Sequence, residues 1–120
     1  MSHCQLVSDY LSAFYVGDFE RAKPLLTEDF EFKGPFVEVM GREQYFSAAA
    51  RLGPIVRGHS LLRQWEDDDA ICSIYEAKIE TPLGWAAIYM SEWNKVRLDR
   101  IARSRLVFDS AAFRALVQMQ

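Results

Sequence analysis

Four alternating apolar–polar segments fill the second half of the chain, with only short turn sequences between them. They run from Ile55 to Trp65, from Ala70 to Thr81, from Trp85 to Val96 and from Ile101 to Phe108. Alternation with a period of two gives a strand one buried face. Pro82-Leu83-Gly84 has the length and chemistry of a hairpin connection, and Leu98-Asp99 marks a polar turn. No stretch long enough for a crossover helix separates these strands, so consecutive strands are expected to pair antiparallel. The acidic run Glu66-Asp67-Asp68-Asp69 falls between the first two and reads as a solvated turn. It lacks the alternating ligands, the turn glycine and the distal glutamate of a calcium loop.

The first half is mainly helical. Leu6, Tyr10, Ala13 and Phe14 recur at helical spacing in a helix expected from Gln5 to Val16, which Gly17 ends. Asp18 can cap a second helix, Phe19 to Leu26, with Glu20 in its first turn. Pro24 lacks an amide hydrogen and predicts a kink or a short, tight helix there. Phe30 to Lys33 reads as a short strand that Gly34-Pro35 stops, and Phe36 to Met40 as another. Gly41 makes a turn, Arg42 to Leu52 a third helix, and Gly53-Pro54 its end. Asp109 caps a short terminal helix from Ser110, with Phe113, Leu116 and Val117 on its apolar side. Helices followed by a run of antiparallel strands is the pattern of an α+β domain with helices on one face of a sheet. The 120 residues show no repeat, linker or low-complexity segment, so one domain over residues 1–120 is expected.

Composition narrows the function classes. Half the residues are apolar, and eight Phe, five Tyr and three Trp supply rings to fill a core or line a cavity. The net charge of −3 and the scattered, acid-matched arginines argue against a nucleic-acid partner. No apolar run approaches the roughly 20 residues that span a bilayer, so no membrane partner is expected. Met1-Ser2-His3-Cys4 lacks the charged start and apolar run of a signal sequence. Two cysteines, Cys4 and Cys72, then suggest a reducing, cytoplasmic location.

The order of short motifs carries a resemblance. Tyr10 precedes Val16-Gly17-Asp18-Phe19, followed by Leu25-Leu26-Thr27-Glu28-Asp29-Phe30, Gly34-Pro35-Phe36 and Gly41-Arg42-Glu43. The chain closes with Arg100-Ile101-Ala102-Arg103-Ser104-Arg105-Leu106-Val107-Phe108-Asp109. Over nearly its whole length this resembles the NTF2-like or SnoaL-like superfamily. The resemblance implies a cone: a strongly curved, mostly antiparallel sheet wrapped around three helices, open at one end as a mainly apolar pocket. Known members isomerise ketosteroids, cyclise polyketides, hydrolyse epoxides or dehydrate, and others only bind ligands or proteins. Fold alone therefore does not fix function.

The resemblance also assigns candidate residues. Tyr10 matches the tyrosine that donates to the substrate oxyanion in ketosteroid isomerases; the other reading is a core tyrosine bonded to a backbone carbonyl. Gly34 stands where those enzymes carry the base, and the second acid position falls near Tyr89 or Ser91. Neither is an acid, so steroid isomerisation itself is not expected. The Asp-Arg-Asp set of limonene epoxide hydrolase has no counterpart either, because Asp99 lies in a turn and Asp109 at a helix cap. Arg42 and Glu43 open a helix and read as structural.

Strand alternation places the remaining lining. Ser104, Leu106 and Phe108 should face inward, as should Ala87, Tyr89 and Ser91 on the strand before. Phe14, Phe32 and Phe36 complete the expected ligand contacts. The 70–81 strand is ambiguous: matching to the superfamily turns Glu76 inward, whereas apolar content turns the Tyr75 face inward. An inward Glu76 would be a general acid or base with a raised pKa; otherwise it is a surface carboxylate paired across the sheet. His59 is a second candidate proton carrier, or a half-exposed strand residue. No set of metal ligands and no nucleophile elbow is present, and no cofactor is implied. The expectation is a small-molecule pocket protein whose candidate catalytic residues, Tyr10 as hydrogen-bond donor and Glu76 or His59 as proton carrier, act on an apolar carbonyl-bearing or cyclic compound that Tyr89 helps to orient. The alternative is a non-catalytic binding or dimerisation module. A homodimer through the outer sheet face, using Trp85 or Trp93 with Ile88 and Met90, is expected under either.

Overall fold

The first helix, α1 (His3–Tyr15), and a short α2 (Phe19–Ala22) form a helical hairpin at the start of the chain. A computed structural model describes residues 2–117. Ser2 Oγ accepts from Gln5 N at the start of α1, and Gly17 leaves its end with φ +81°, a conformation side chains resist. Asp18 caps α2 as its sequence suggests. Pro24 shortens that helix: a 3-10 turn, Lys23–Leu25, replaces the rest, and strand β1 (Leu26–Lys33) begins four residues earlier than expected.

Strand β2 (Glu38–Met40) hairpins back onto β1, and α3 (Arg42–Ala50) follows. Then come β3 (Val56–Asp67), β4 (Ala70–Thr81), β5 (Gly84–Arg97), β6 (Arg100–Phe108) and α4 (Ser110–Val117). Leu98 and Asp99 both have positive φ and join β5 to β6 in a tight two-residue turn. Asp109 Oδ1 accepts from the amides of Ala111 and Ala112, which caps α4. Phe113 is buried; the Val117 side chain lies outside the described residues.

The six strands make one mixed, open sheet in the order β2-β1-β6-β5-β4-β3. Every neighbouring pair is antiparallel except β1 with β6. Register shifts interrupt β3 near Gly58 and Leu62, and the β5–β6 pairing near Lys95. Such bulges bend a strand and increase its twist. Helix α1 packs on β3 and β4, and α3 on β1, so helices cover one face. The core lies between: Val7, Leu11, Leu26, Phe30, Ile71, Tyr75 and Ile101 are fully buried there. Among the described residues no helix is long and apolar enough to cross a membrane.

Candidate functional site

Between the helices and the concave sheet face lies a cavity of about 550 Å³. Helix α1 contributes Tyr10, Phe14 and Tyr15, and α3 contributes Tyr45. The sheet contributes Phe32, Tyr75, Met90, Glu92, Leu106 and Phe108. Phe36, from the turn after β1, and Phe113, from α4, pack with Phe108 along the wall. Gly34 also lines the cavity, and its amide donates to Val37 O at 2.8 Å to hold that turn.

The polar groups inside come in two clusters. On the helix side the hydroxyls of Tyr10 and Tyr45 bond each other, and both residues are buried. One of the two protons is enough for that bond. Among the described residues neither hydroxyl makes another, so one donor remains uncommitted. On the sheet side, Tyr75 donates to Glu92 Oε1 at 2.7 Å, and Tyr15 lies 3.0 Å from the Tyr75 hydroxyl. Because Tyr75 has spent its only proton, Tyr15 must be the donor to it. The result is a directed chain, Tyr15 to Tyr75 to Glu92.

Glu92 exposes 4% of its surface. Burial raises its pKa, against the opposing pull of the Tyr75 hydroxyl and the Asn94 amide. Asn94 Nδ2 finds no acceptor at hydrogen-bonding geometry, while its Oδ1 accepts from Ser104. Burial also raises the pKa of Tyr10, Tyr15, Tyr45 and Tyr75, so these hydroxyls keep their protons. Glu92 is the one carboxyl among the residues that line the cavity.

The expected site residues divide accordingly. Tyr10, Phe14, Phe32, Phe36, Leu106 and Phe108 line the cavity, while Ser104 is buried beside Asn94 without lining it. Glu76 does not line it. Tyr75 and Ala77 turn inward, and a strand's alternation sends Glu76 to the outer face. Ala87, Tyr89 and Ser91 also lie outward, because Ile88, Met90, Glu92 and Asn94 take the buried face of β5. Ile88 and Met90 are thereby removed from the outer surface expected to pair with a second copy. His59 is half-buried and stacks on Tyr15, ring centroids 5.1 Å apart, without lining the cavity. Desolvation lowers its pKa. The three candidate catalytic residues are thus not gathered: Tyr10 is inside, His59 beside the wall and Glu76 outside.

Sequence reasoning missed Glu92, with Tyr15, Tyr45 and Tyr75. Glu92 shares a period-two face with Ile88, Met90 and Val96, but Trp85, Tyr89 and Trp93 give the opposite face a comparable apolar content. Among the described residues no three His, Cys, Asp or Glu side chains are grouped to hold a metal.

Sheet order, covering helices and the cavity between them together define an α+β cone of the NTF2-like type. No protein-family model matches the chain, and no curated protein matches it. Solved structures do. An NTF2-like protein of unknown function from Burkholderia pseudomallei superposes with a TM-score of 0.88 at 15% identity, covering 99% of this chain and 100% of that one. A putative polyketide cyclase from Xanthomonas campestris pv. campestris gives 0.81 at 20% identity, over 97% and 96% of the two chains. An LEH-like epoxide hydrolase from M. tuberculosis gives 0.82 at 19% identity, over 96% and 89%. The chain therefore has the NTF2-like fold.

Proposed function

We propose that the cone binds a small, largely apolar molecule and that Glu92 is its acid–base group. The single observation that carries this reading is the Glu92 carboxyl, buried at the wall of an apolar cavity and held there by Tyr75. A carboxyl whose pKa is raised by burial can hold a proton nearer neutrality and exchange it with a bound substrate. Tyr10 and Tyr45 face the same space with one spare hydroxyl proton, a donor for a carbonyl oxygen or a developing oxyanion. The residues thus suit proton transfer on a carbonyl-bearing or cyclic substrate without a cofactor. The likeness to a putative polyketide cyclase and an epoxide hydrolase agrees with that class. Glu92 and the tyrosines take the roles that Glu76, His59 and Tyr89 do not have the position to fill.

The test is occupancy first, then chemistry. Native mass spectrometry of the purified protein should reveal a retained small molecule, or a hydrophobic probe should bind with one-to-one stoichiometry. Leu106→Trp, which fills the cavity, should abolish either signal. Turnover of the molecule so identified should be lost in Glu92→Gln while binding persists. Binding unaffected by Leu106→Trp would overturn the pocket; turnover unaffected by Glu92→Gln would overturn the acid–base role.

The outer sheet face supports a second element of the reading, a homodimer. Tyr89, Trp85 and Val107 are exposed there, with Ile74 and Trp93 half-buried among them. An apolar patch on a sheet suits a self-complementary interface.

A further inference from the structure

We infer that the molecule the cone accepts carries an anionic group, a carboxylate, and that Arg51 and Arg57 hold it at the mouth. The inference rests on the reading of the cone as a ligand pocket and specifies what enters it. The residues lining the cavity include three charged side chains: Glu92, Arg51 and Arg57. Glu92 is buried, whereas both arginines are exposed and so mark the open end. Arg51 stands at the C-terminus of α3 and forms no ion pair among the described residues. Arg57 is held in place: its Nε lies 3.3 Å from Glu80, and its Nη1 donates to Pro54 O at 2.6 Å. Its Nη2 has no partner among the described residues. A third guanidinium, Arg114, lies 5.2 Å above the ring of Phe36, itself a lining residue.

Two acids around this opening are engaged: Glu80 pairs with Arg57, and Glu43 lies 3.5 Å from Lys23. Within the lining itself the two exposed guanidiniums meet no carboxyl but the buried Glu92, so the rim carries positive charge on a chain whose net charge is −3. A positive rim around an apolar well attracts anions and orients them. Orientation also follows from solvation. Taking a carboxylate to the depth of the cavity would strip its water beside the Glu92 carboxyl, a cost that the one spare hydroxyl proton of the Tyr10–Tyr45 pair does not cover. Leaving it at the rim keeps it hydrated and within reach of a planar guanidinium, which matches carboxylate geometry. The apolar body then points inward, toward Glu92 and the tyrosine pair. A cyclic or acyclic carboxylic acid fits this gradient; its neutral amide loses the rim contact and keeps the rest.

The experiment compares 2-naphthaleneacetic acid with 2-naphthaleneacetamide by titration calorimetry on the wild type, on Arg51→Gln and on Arg51→Gln/Arg57→Gln. Wild type should bind the acid about five- to tenfold more tightly than the amide, the scale of a partly exposed charge-assisted contact. The preference should shrink in Arg51→Gln and fall to within about twofold in the double variant, with amide affinity unchanged. Raising salt from about 50 to about 500 mM should shrink it in the wild type without any substitution. Equal binding of acid and amide by the wild type would overturn the inference and leave the pocket standing. So would a preference that survives in the double variant. Binding of neither probe would overturn the pocket reading and the inference together.

Discussion

The Tyr75 hydroxyl donates a 2.7 Å hydrogen bond to Glu92 Oε1, with both side chains out of reach of bulk water. Adjacent strands place them: Tyr75 lies on β4, opposite Met90 of β5, and Glu92 is the next inward residue beyond Met90. Satisfying a buried carboxyl in this way limits its cost but does not remove it, because burial still disfavours the charged form.

Stability should therefore depend on pH through Glu92. Its native pKa lies above the ordinary 4.5. Above that value the unfolded chain has released a proton that the native chain still holds. The native state then binds more protons, and stability falls as pH rises from 4.5 through the raised native pKa. Glu92→Gln removes this titration. Denaturant melts from about pH 4 to about pH 8 should show the wild type losing stability relative to the variant as pH rises. Parallel profiles would contradict the assignment of a raised pKa to Glu92.

Removing the middle of the hydroxyl chain should cost more than removing its end. Tyr75→Phe leaves Glu92 without this donor and Tyr15 without its acceptor, a loss of about 1–3 kcal/mol. Tyr15→Phe removes only one donor from a chain that stays otherwise intact, a loss of about 1 kcal/mol. The two residues share a bond, so the double variant should lose less than the sum of the single losses. Additive losses in chemical denaturation would show that the hydroxyls are not coupled.

Gly34 lies at a point where space is short. A Cβ there would sit 3.0 Å from Phe32 Cε2 and 3.1 Å from Phe32 Cζ. Phe32 lines the cavity and packs on Tyr45, ring centroids 5.0 Å apart, so its ring can give way only against Tyr45 or into the cavity. Gly34→Ala should cost about 1–3 kcal/mol by overpacking and should also weaken binding of a cavity probe. An unchanged melting temperature with unchanged probe affinity would show that Phe32 moves freely.

Much of this architecture is legible in the residues. Pro24, Gly17, the Asp18 and Asp109 caps and the Leu98-Asp99 turn act locally, so sequence alone places the element ends near them. The 70–81 strand matches its expected limits, and its apolar content correctly turns Tyr75 inward. The fold resemblance, which turned Glu76 inward, misled by one residue. The β5 strand misled for a different reason. Its inward set, Ile88, Met90, Glu92, Asn94 and Val96, mixes apolar with polar residues, while the outward set includes Trp85, Tyr89 and Trp93. Period-two reading depends on one face being the more apolar, and here neither is. The strand's chemistry is what blurs its pattern: a carboxyl facing into the core weakens the signal that would have located it. The tyrosine pairs are a second limit, since Tyr10 and Tyr45 are 35 residues apart and meet only when α1 and α3 pack.

The outer face offers the remaining test, through Tyr89. It is 62% exposed and stands opposite Glu76 in the β4–β5 ladder, away from the cavity. Neighbouring positions on the same face carry Ile74 and Trp93, and β6 adds Val107, 66% exposed. A stable interface buries about 800 Å² per partner, which a patch spanning three strands can supply. The wild type should scatter light as twice the 13.8 kDa of one chain. Tyr89→Lys sets a charge in the middle of the patch, where burial against a second copy would be costly. Within one chain the new lysine would face Glu76, a favourable cross-strand pair, so the sheet itself should not suffer. The variant should therefore melt cooperatively and scatter as a single chain. A wild type that already scatters as one chain, or a Tyr89→Lys variant that still scatters as two, would remove the outer sheet face as the dimer interface.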